Sequence, residues 1–446
     1  MHGSLGATVR SRWRRLKAQL ANDQIIAHNV IVAGGTVLAG LLGVGFQSLF
    51  SHELQPADYG SVFAVVSLIT FIGLPATAFT LAMARETSRD RAAGKKWASA
   101  ALLRNGNRTL LLAGFGLTIM FVGLSPLLAQ FLVIPMTLLL AAAAGVPFTF
   151  ALPLLLGEFQ GEQRFLAFSV LSVGQAALKL FAALALGYFW GPFGIIAGIS
   201  LAGACVYVAA LLMLLQKLSI RTSRPWFRAA AAYLTVAVPS TLALSVLLST
   251  DVLLVKHYFP IRVAGEYAAV AALGRAIFWG ASAIAIVLFP KVVFHRAQGK
   301  SGSNLVGLSL VLVAVGGLIG LGVLAFGSRW LLVAFAGNAY VGAASYLPWY
   351  GIGMVMLGGA SILIATHQSR GKPGFLAVLL PLTLLEPILI VAFHQSLAQV
   401  VLVVDISMGL VAAGLGALYL VQRNVVLPDA ASSGTSNSVS TLAGVG

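Results

Sequence analysis

Long apolar runs, separated by short charged segments, dominate this sequence. A helix needs about 20 mostly apolar residues to cross the hydrocarbon core of a bilayer, and runs of that length recur along the 446-residue chain. Only 9% of the residues are charged, compared with roughly 25% in soluble proteins. So few charges cannot cover a water-soluble surface, and one buried core stops growing near ~250–300 residues. The sequence therefore predicts an all-α integral membrane protein.

About twelve transmembrane helices are predicted. Their ranges are 27–50, 60–83, 110–132, 136–157, 165–187, 193–215, 229–254, 264–290, 305–326, 346–366, 374–393 and 398–420. The apolar stretch 330–344 is short and is predicted to lie at the membrane interface. The predicted organisation is a basic cytoplasmic leader (1–26), an N-terminal six-helix bundle (27–216), a cytoplasmic linker (217–228), a C-terminal six-helix bundle (229–423) and a disordered cytoplasmic tail (424–446).

Lysine and arginine fall mostly on one side of the predicted membrane. Of the 28 residues of these two types, 23 lie in the leader or on the side to which the even-numbered helices lead. The other side holds Lys256, Arg262 and Arg329, while Lys179 and Arg275 lie inside helices. Positive loops face the cytoplasm, so both termini are predicted to be cytoplasmic. The net charge of +16 therefore reflects membrane orientation, and no nucleic-acid partner is expected.

The two halves of the chain resemble each other. The matches at an offset of 205 are His52 with His257, Gly60 with Gly265, and Gly94-Lys95 with Gly299-Lys300, and residues 165–167 match 375–377 at an offset of 210. Both halves start on the same side of the membrane, so the repeat is parallel, with its axis along the membrane normal. Two such bundles around a central cavity are a transporter architecture. Short apolar matches also arise by chance, which is the alternative explanation.

Lys179 is the first of two cations predicted to lie inside the membrane. Ionisable groups there cost ~2.5–3.5 kcal/mol on insertion scales and usually face a cavity. Ser172, Gln175 and Lys179 are spaced by three and four residues and so share one helical face. This polar stripe is a candidate site for an anionic headgroup. Alternatively, it forms hydrogen bonds between helices, or the lysine extends its ammonium group to the interface.

Arg275 is the second cation, near the middle of the eighth predicted helix. Its guanidinium can bind phosphate oxygens through two parallel hydrogen bonds. Tyr267 and Trp279, spaced by multiples of four from Arg275, offer flat faces for sugars. The alternative is a structural ion pair, with Asp251 or Glu266 as the partner.

Two carboxyl groups in the last helices, Glu386 and Asp405, are candidates for a coupling ion or for ion pairs, as are Asp251 and Glu266. Glu386 lies between Pro381 and Pro387, which bend a helix and remove backbone donors. A carboxyl group cut off from water is most stable when it is protonated, so Glu386 can carry a proton. Alternatively, it is a neutral residue that bonds a freed backbone carbonyl.

Enzymatic and metal sites are not predicted. The single cysteine, Cys205, can form no disulfide within the chain, and the histidines show no ligand spacing. No catalytic set of residues and no nucleotide-binding motif is recognisable. We expect no cofactor, no metal and no enzymatic activity.

Three segments resemble lipid-linked oligosaccharide flippases of the Wzx type. They are LQPADYGSVFAVVSLITF from Leu54, LLLGEFQGEQRF from Leu154, and STDVLLVKHYFPIRVAGEYAAVAALGRAIFWGASAIAIVLFPKV from Ser249. These flippases belong to the multidrug/oligosaccharidyl-lipid/polysaccharide (MOP) exporter superfamily. The resemblance implies two six-helix bundles around an often cationic cavity. It also implies transport of a polyprenyl-diphosphate-linked glycan to the outer leaflet of a bacterial-type plasma membrane.

The implied partners are membrane lipid, the lipid-linked glycan and other membrane proteins of polysaccharide assembly. Lys179 and Arg275 are the candidate phosphate contacts, and Arg85 and Lys291 at the cytoplasmic mouth are candidates for substrate capture. Two alternatives remain. A drug or cation antiporter of the same superfamily would be expected to have an anionic cavity. A glycan polymerase or ligase would need a long outer loop with catalytic residues, and the sequence predicts none.

Overall fold

The computed structural model describes residues 31–32, 34–94, 99–220, 226–297, 303–370 and 373–425. Within these ranges the side chains at 226–229, 232, 282–297, 303–305, 370 and 423–425 are not described. The helices are α1 (Gly34–Glu53), α2 (Pro56–Ala92), α3 (Ser99–Leu132), α4 (Met136–Ala143), α5 (Val146–Gly161), α6 (Phe165–Leu218), α7 (Trp226–Leu247), α8 (Thr250–Tyr258), α9 (Ile261–Ala297), α10 (Ser303–Ala336), α11 (Leu347–Arg370), α12 (Leu376–Ala392) and α13 (Leu397–Val425). Short 3-10 segments cover Asn338–Tyr346 and Pro373–Phe375. No strand occurs in these ranges.

The helices match the predicted membrane-spanning pattern. In the described part of the chain, ten helical segments are long and apolar enough to cross a bilayer. One of them, α6, has 54 residues, about 81 Å at 1.5 Å per residue, which is far more than the ~30 Å hydrocarbon core. It therefore supplies two spans. The 37 residues of α9 are also enough for a span, so the protein is a multi-pass membrane protein with the predicted number of crossings.

The fold-back in α6 occurs at Gly191. This residue has φ 57° and ψ −139°, a left-handed conformation that glycine adopts without a Cβ clash. The two arms then pack closely: a Cβ atom on Gly198 would lie 2.5 Å from the backbone nitrogen of Ala183, and one on Gly194 would lie 2.0 Å from the carbonyl oxygen of Leu186. Glycines thus permit the tight antiparallel hairpin, and the predicted break between residues 187 and 193 is confirmed.

The two bundles contact each other at the repeated glycines. A Cβ atom on Gly60 of α2 would lie 2.9 Å from the Cα of Gly265 in α9, and one on Gly265 would lie 1.8 Å from the carbonyl oxygen of Pro56. Equivalent residues of two repeats meet only where the pseudo-two-fold axis passes. The fold class is confirmed: two repeated helical bundles. Following the predicted division of the chain, we refer to α1–α6 as the N-terminal bundle and to α7–α13 as the C-terminal bundle.

Contacts between bundles are dense at one end, which we call the outer end. It carries the loops at 54–55, 133–135, 259–260 and 393–396 and is predicted from the charge asymmetry to face away from the cytoplasm. We call the contacts there the outer seal. They are the Gly60–Gly265 crossing, hydrogen bonds from Ser48 and Ser51 to the Phe335 carbonyl and from Tyr340 to the Leu54 carbonyl, and the stack of Phe131 on His257.

The opposite, inner half is bridged by α2 and α7. Arg85 of α2 lies 5.5 Å from the ring centre of Tyr233 in the inner half of α7. Farther out, near the other end of α7, the hydroxyl of Ser245 donates to the carbonyl of Phe71 at 2.7 Å. Ala230, Tyr233 and Leu234 of α7 belong to the hydrophobic core of the N-terminal bundle, so the inner half of α7 packs on that bundle, across the predicted bundle boundary.

Several predicted boundaries differ from the structure. Helix α2 continues nine residues past the predicted end at 83, to Ala92, because a helix can extend beyond the bilayer. Lys217, predicted to begin the linker, belongs to α6. The segment predicted to be interfacial is divided between α10, which ends at Ala336, and a 3-10 segment. The leader and the residues after 425 lie outside the described residues, as do Lys95, Gly299 and Lys300 of the repeat.

Candidate functional site

A buried polar cluster occupies the outer half of the C-terminal bundle. Asp251 on α8 accepts a hydrogen bond from Nη2 of Arg275 on α9 at 2.8 Å. Its other oxygen accepts hydrogen bonds from the hydroxyls of Tyr267 at 3.0 Å and Tyr350 at 2.9 Å. The Nε of Arg275 donates to the Tyr350 hydroxyl at 3.1 Å. Three helices thus contribute to this ion pair and its hydrogen bonds. We call the four residues, together with Glu386, the C-bundle cluster.

Glu386 on α12 is the remaining member of the C-bundle cluster. Its side chain is 0% exposed, and neither carboxyl oxygen has a hydrogen-bond partner among the described residues. Electrostatic interactions connect it with Asp251 and Arg275. An ionised carboxylate without partners is very unfavourable in such a place, so Glu386 is most stable here as the neutral acid. The cluster then holds one arginine charge and one aspartate charge.

For Arg275 the structure shows the arrangement that the sequence left as an alternative, a pair with Asp251. The other suggested partner was wrong, since Glu266 pairs with Arg262, with 3.2 Å between Oε1 and Nε. The shared face with Trp279 does not persist either, because Trp279 is 49% exposed whereas Arg275 is buried. A phosphate contact at Arg275 remains a prediction, and in this conformation it would require the pair with Asp251 to separate.

Lys179 lies on the first arm of α6, fourteen residues after Phe165, or about 21 Å along the helix at 1.5 Å per residue. The residue is partly buried, and its ammonium group lies 4.4 Å from the ring centre of Phe46 on α1. No carboxylate of the described residues pairs with it. Ser172 donates to the carbonyl of Phe168 in its own helix, and Gln175 is half-buried.

Lys179 and Arg275 have no partner in common among the described residues. Lys179 contacts Phe46 of its own bundle. Arg275 reaches across the interface instead, with its guanidinium carbon 5.4 Å from the ring centre of Phe63 on α2. These contacts therefore do not bring the two candidate phosphate-binding residues together in this conformation.

The other predicted site residues lie apart from the C-bundle cluster. Asp405 on α13 accepts a hydrogen bond from the backbone nitrogen of Gly353 at 2.9 Å, a link between α13 and α11. Arg85 is exposed near the inner end and stacks on Tyr233. Lys291 lies in the part of α9 whose side chains are not described.

A second ionic cluster, at the inner end of the N-terminal bundle, was not identified from the sequence. Lys217 on α6 forms ion pairs with Glu158 and with Glu162, the latter at 2.7 Å. Glu158 also accepts hydrogen bonds from the hydroxyls of Thr87 at 2.6 Å and Ser99 at 3.3 Å. We call these residues the N-bundle cluster. The i, i+4 spacing of the two glutamates on a helix was the available signal.

Comparisons with known proteins identify the fold. No family model matches the sequence, and no curated protein matches it. The structure resembles the eukaryotic MATE transporter AtDTX14 with a TM-score of 0.69 at 13% identity, covering 89% of this chain and 95% of that one. It resembles a multidrug resistance MATE transporter of the MOP superfamily in its inward-facing conformation, with a TM-score of 0.70, 13% identity, and coverage of 89% and 96%.

A third similar structure is a MOP superfamily transporter from Pyrococcus furiosus whose binding pocket is described as having reverse polarity. Its TM-score is 0.60 at 14% identity, covering 90% of this chain and 95% of that one. Such low identities establish architecture and not activity. The chain thus has the fold of the MATE transporters of the MOP superfamily.

Proposed function

We propose that this protein is a transporter that moves a polyprenyl-diphosphate-linked oligosaccharide from the cytoplasmic to the outer leaflet of a bacterial-type plasma membrane. Both termini are then cytoplasmic, and the two bundles alternate between opening inward and opening outward. Each charge and unpaired hydroxyl of such a substrate loses its water in hydrocarbon. A polar path between the bundles replaces that water while the lipid tail stays in the bilayer.

The observation that carries this proposal is the state of Lys179. It lies inside a membrane-spanning helix, its side chain is partly buried, and it pairs with no carboxylate of the described residues. A lysine that is not neutralised by the protein can bind a phosphate group through charge-assisted hydrogen bonds. Of the two cations predicted to contact the diphosphate, Arg275 already pairs with a carboxylate, so Lys179 is the better candidate.

The C-bundle cluster supports a proton as the coupling ion. Glu386 has no hydrogen-bond partner in the described residues when the outer end is closed. If the bundles separate there and water reaches it, the ionised form becomes accessible. Glu386 can therefore bind and release one proton per transport cycle.

An antiporter of drugs or cations is the second candidate. Glu386 favours it, because a carboxyl group without a partner is also what a cationic substrate would need. Two of the similar structures are MATE transporters, one of them described as a multidrug resistance transporter. The Pyrococcus furiosus protein is described as having a pocket of reverse polarity that suggests a different function. The fold is thus compatible with either substrate charge.

The test is a comparison of two substrates in proteoliposomes. The purified protein should expose a lipid-linked oligosaccharide on the opposite leaflet and should not export the lipophilic cation ethidium. Lys179→Met should lower flipping by about 10-fold or more, the effect of losing a charge-assisted hydrogen bond. Arg329→Met, which removes an exposed cation near the outer end, is the matched control and should flip normally.

The opposite pattern would reject the proposal. Export of ethidium without flipping of the glycolipid would identify the antiporter instead. If Lys179→Met flips the glycolipid at the parental rate, Lys179 does not contact the diphosphate. Because methionine fills a similar volume without a charge, Lys179→Met should remain folded, and the amount of inserted protein verifies this.

A further inference from the structure

Lys256, on the last turn of α8, is buried between the two bundles at the outer end. Its side chain is only 2% exposed. Its ammonium group donates to the hydroxyl oxygen of Ser61 on α2 at 3.1 Å. The Ser61 hydroxyl in turn donates to the carbonyl of Ala57 at 2.9 Å. The contact therefore joins the C-terminal bundle to the N-terminal bundle.

The ammonium group of Lys256 is poorly satisfied in this position. It has three donor hydrogens, and in the part of the chain that the structure describes only Ser61 accepts one of them. No carboxylate of these residues lies within ion-pair distance, although the exposed Asp58 interacts with it electrostatically. By contrast, Lys217 is also buried but contacts two carboxylates. A buried charge with one neutral partner is unfavourable, so Lys256 gains from any anion that reaches it.

The location of Lys256 makes it accessible only when the outer seal opens. Ser61 follows Gly60, whose contact with Gly265 marks the axis between the bundles. The next residue along α8, His257, stacks on Phe131 of α3 with 3.8 Å between ring centres. Separation of the bundles at the outer end would break these contacts together. It would leave Lys256 and Ser61 on opposite walls of the opened cleft.

We propose that Lys256 and Ser61 form a phosphate-binding site that is hidden while the outer seal is closed and that receives the diphosphate of the substrate when the bundles separate. This inference rests on the proposed function and adds to it a second anion site, nearer the outer end than Lys179. The substrate would pass from Lys179 to Lys256 and would leave as water enters the cleft. Reclosure would return Lys256 to Ser61.

The test uses charge restoration at position 256. Cys205, the single cysteine, is replaced by serine, and Lys256→Cys is introduced. Flipping of the lipid-linked oligosaccharide should fall by about 10-fold or more, as for one lost charge-assisted hydrogen bond. A thiol reagent that adds an aminoethyl group restores a positive side chain and should restore flipping. Reagents of similar size that add a neutral or a negative group should not.

Arg262→Cys is the matched control, since Arg262 is a cation at the same end whose side chain is 76% exposed. It should flip normally before and after each reagent. Farnesyl diphosphate, a short soluble probe, should slow the modification of a Ser61→Cys thiol, placed beside the intact Lys256 in the same Cys205→Ser background, by about 10-fold, and it should not affect that of the Arg262→Cys thiol. Phosphatidylglycerol vesicles without the diphosphate should give no protection.

Several results would overturn the inference. If Lys256→Cys flips at the parental rate, or if the neutral reagent restores flipping equally well, the positive charge of Lys256 has no role in transport. Equal protection by phosphatidylglycerol would assign the site to bilayer phospholipid. The proposed function is judged separately, by whether the parental protein flips. If it does not flip but farnesyl diphosphate still protects the thiol of Ser61→Cys, the anion site stands and the flippase assignment fails.

Discussion

The N-bundle cluster and the C-bundle cluster both bury charge inside the fold, but they differ in how completely the charge is neutralised. In the N-bundle cluster one lysine contacts two carboxylates, and two hydroxyls donate to the more buried carboxylate, Glu158. In the C-bundle cluster Arg275 is matched by Asp251, and a second carboxyl group, Glu386, has no hydrogen-bond partner in the described ranges.

This difference indicates different roles. The N-bundle cluster joins α2, α3, α5 and α6 close to the inner end. Its lysine and its glutamates can all be charged in this conformation, because each charge has a partner of opposite sign. It therefore holds the helices of one bundle together as a rigid unit. In the C-bundle cluster, by contrast, Glu386 is stable in this conformation only as the neutral acid, because its carboxyl group has no hydrogen-bond partner in the described ranges. Loss of the Glu386 proton therefore favours another arrangement of the bundles, in which water reaches the carboxylate.

The largest effect is expected at the N-bundle cluster. Lys217→Met should destabilise the protein by about 3–5 kcal/mol, because it leaves Glu158 buried without its cation. The measurement is denaturant unfolding in detergent micelles, together with the amount of inserted protein. The double variant Lys217→Met with Glu158→Gln removes both charges and should recover most of the loss. If the single variant is as stable as the parent, the N-bundle cluster does not stabilise the bundle.

A smaller effect is expected in the C-bundle cluster. Arg275→Lys keeps the charge but cannot reach both Asp251 and Tyr350 with the same geometry. We expect a loss of about 1.5–3 kcal/mol, the range for a hydrogen bond to a charged group. If the ion pair is the role of Arg275, flipping per folded molecule should stay near the parental rate. A selective loss of flipping would instead support the phosphate contact predicted from the sequence.

The sequence sufficed for the fold because the membrane is a uniform constraint. Spans of about 20 apolar residues, the break at Gly191 and the repeat at Gly60 and Gly265 all follow from local composition and spacing. The glycine pair in particular connected sequence to packing, since the residues that match at an offset of 205 touch each other across the axis.

The partners of the buried charges were harder to predict. Spacing along one helix placed Tyr267 with Arg275 correctly, because both face the bundle interior. It could not identify Tyr350, which comes from a helix 75 residues away. Lys217 and Lys256 were interpreted as loop residues, because each stands beside the end of an apolar run. In the fold a helix that extends beyond the apolar run buries the first, and a neighbouring bundle covers the second.

The smallest effect on stability is expected for Glu386→Gln. This variant tests most directly whether the carboxyl group of the C-bundle cluster is neutral, in contrast to the paired carboxylates of the N-bundle cluster. Glutamine has the shape of the protonated acid and carries no charge, so the free energy of unfolding should change by no more than about 1 kcal/mol. If Glu386 carries the coupling proton, flipping should no longer respond to an imposed pH gradient across the proteoliposome membrane. Asp405→Asn is the control, because Asp405 bonds the backbone of Gly353 outside the cluster, and this variant should keep the response. A loss of several kcal/mol in Glu386→Gln would mean that the carboxylate is ionised and paired, as in the N-bundle cluster. An unchanged response to the gradient would show that the coupling ion binds elsewhere.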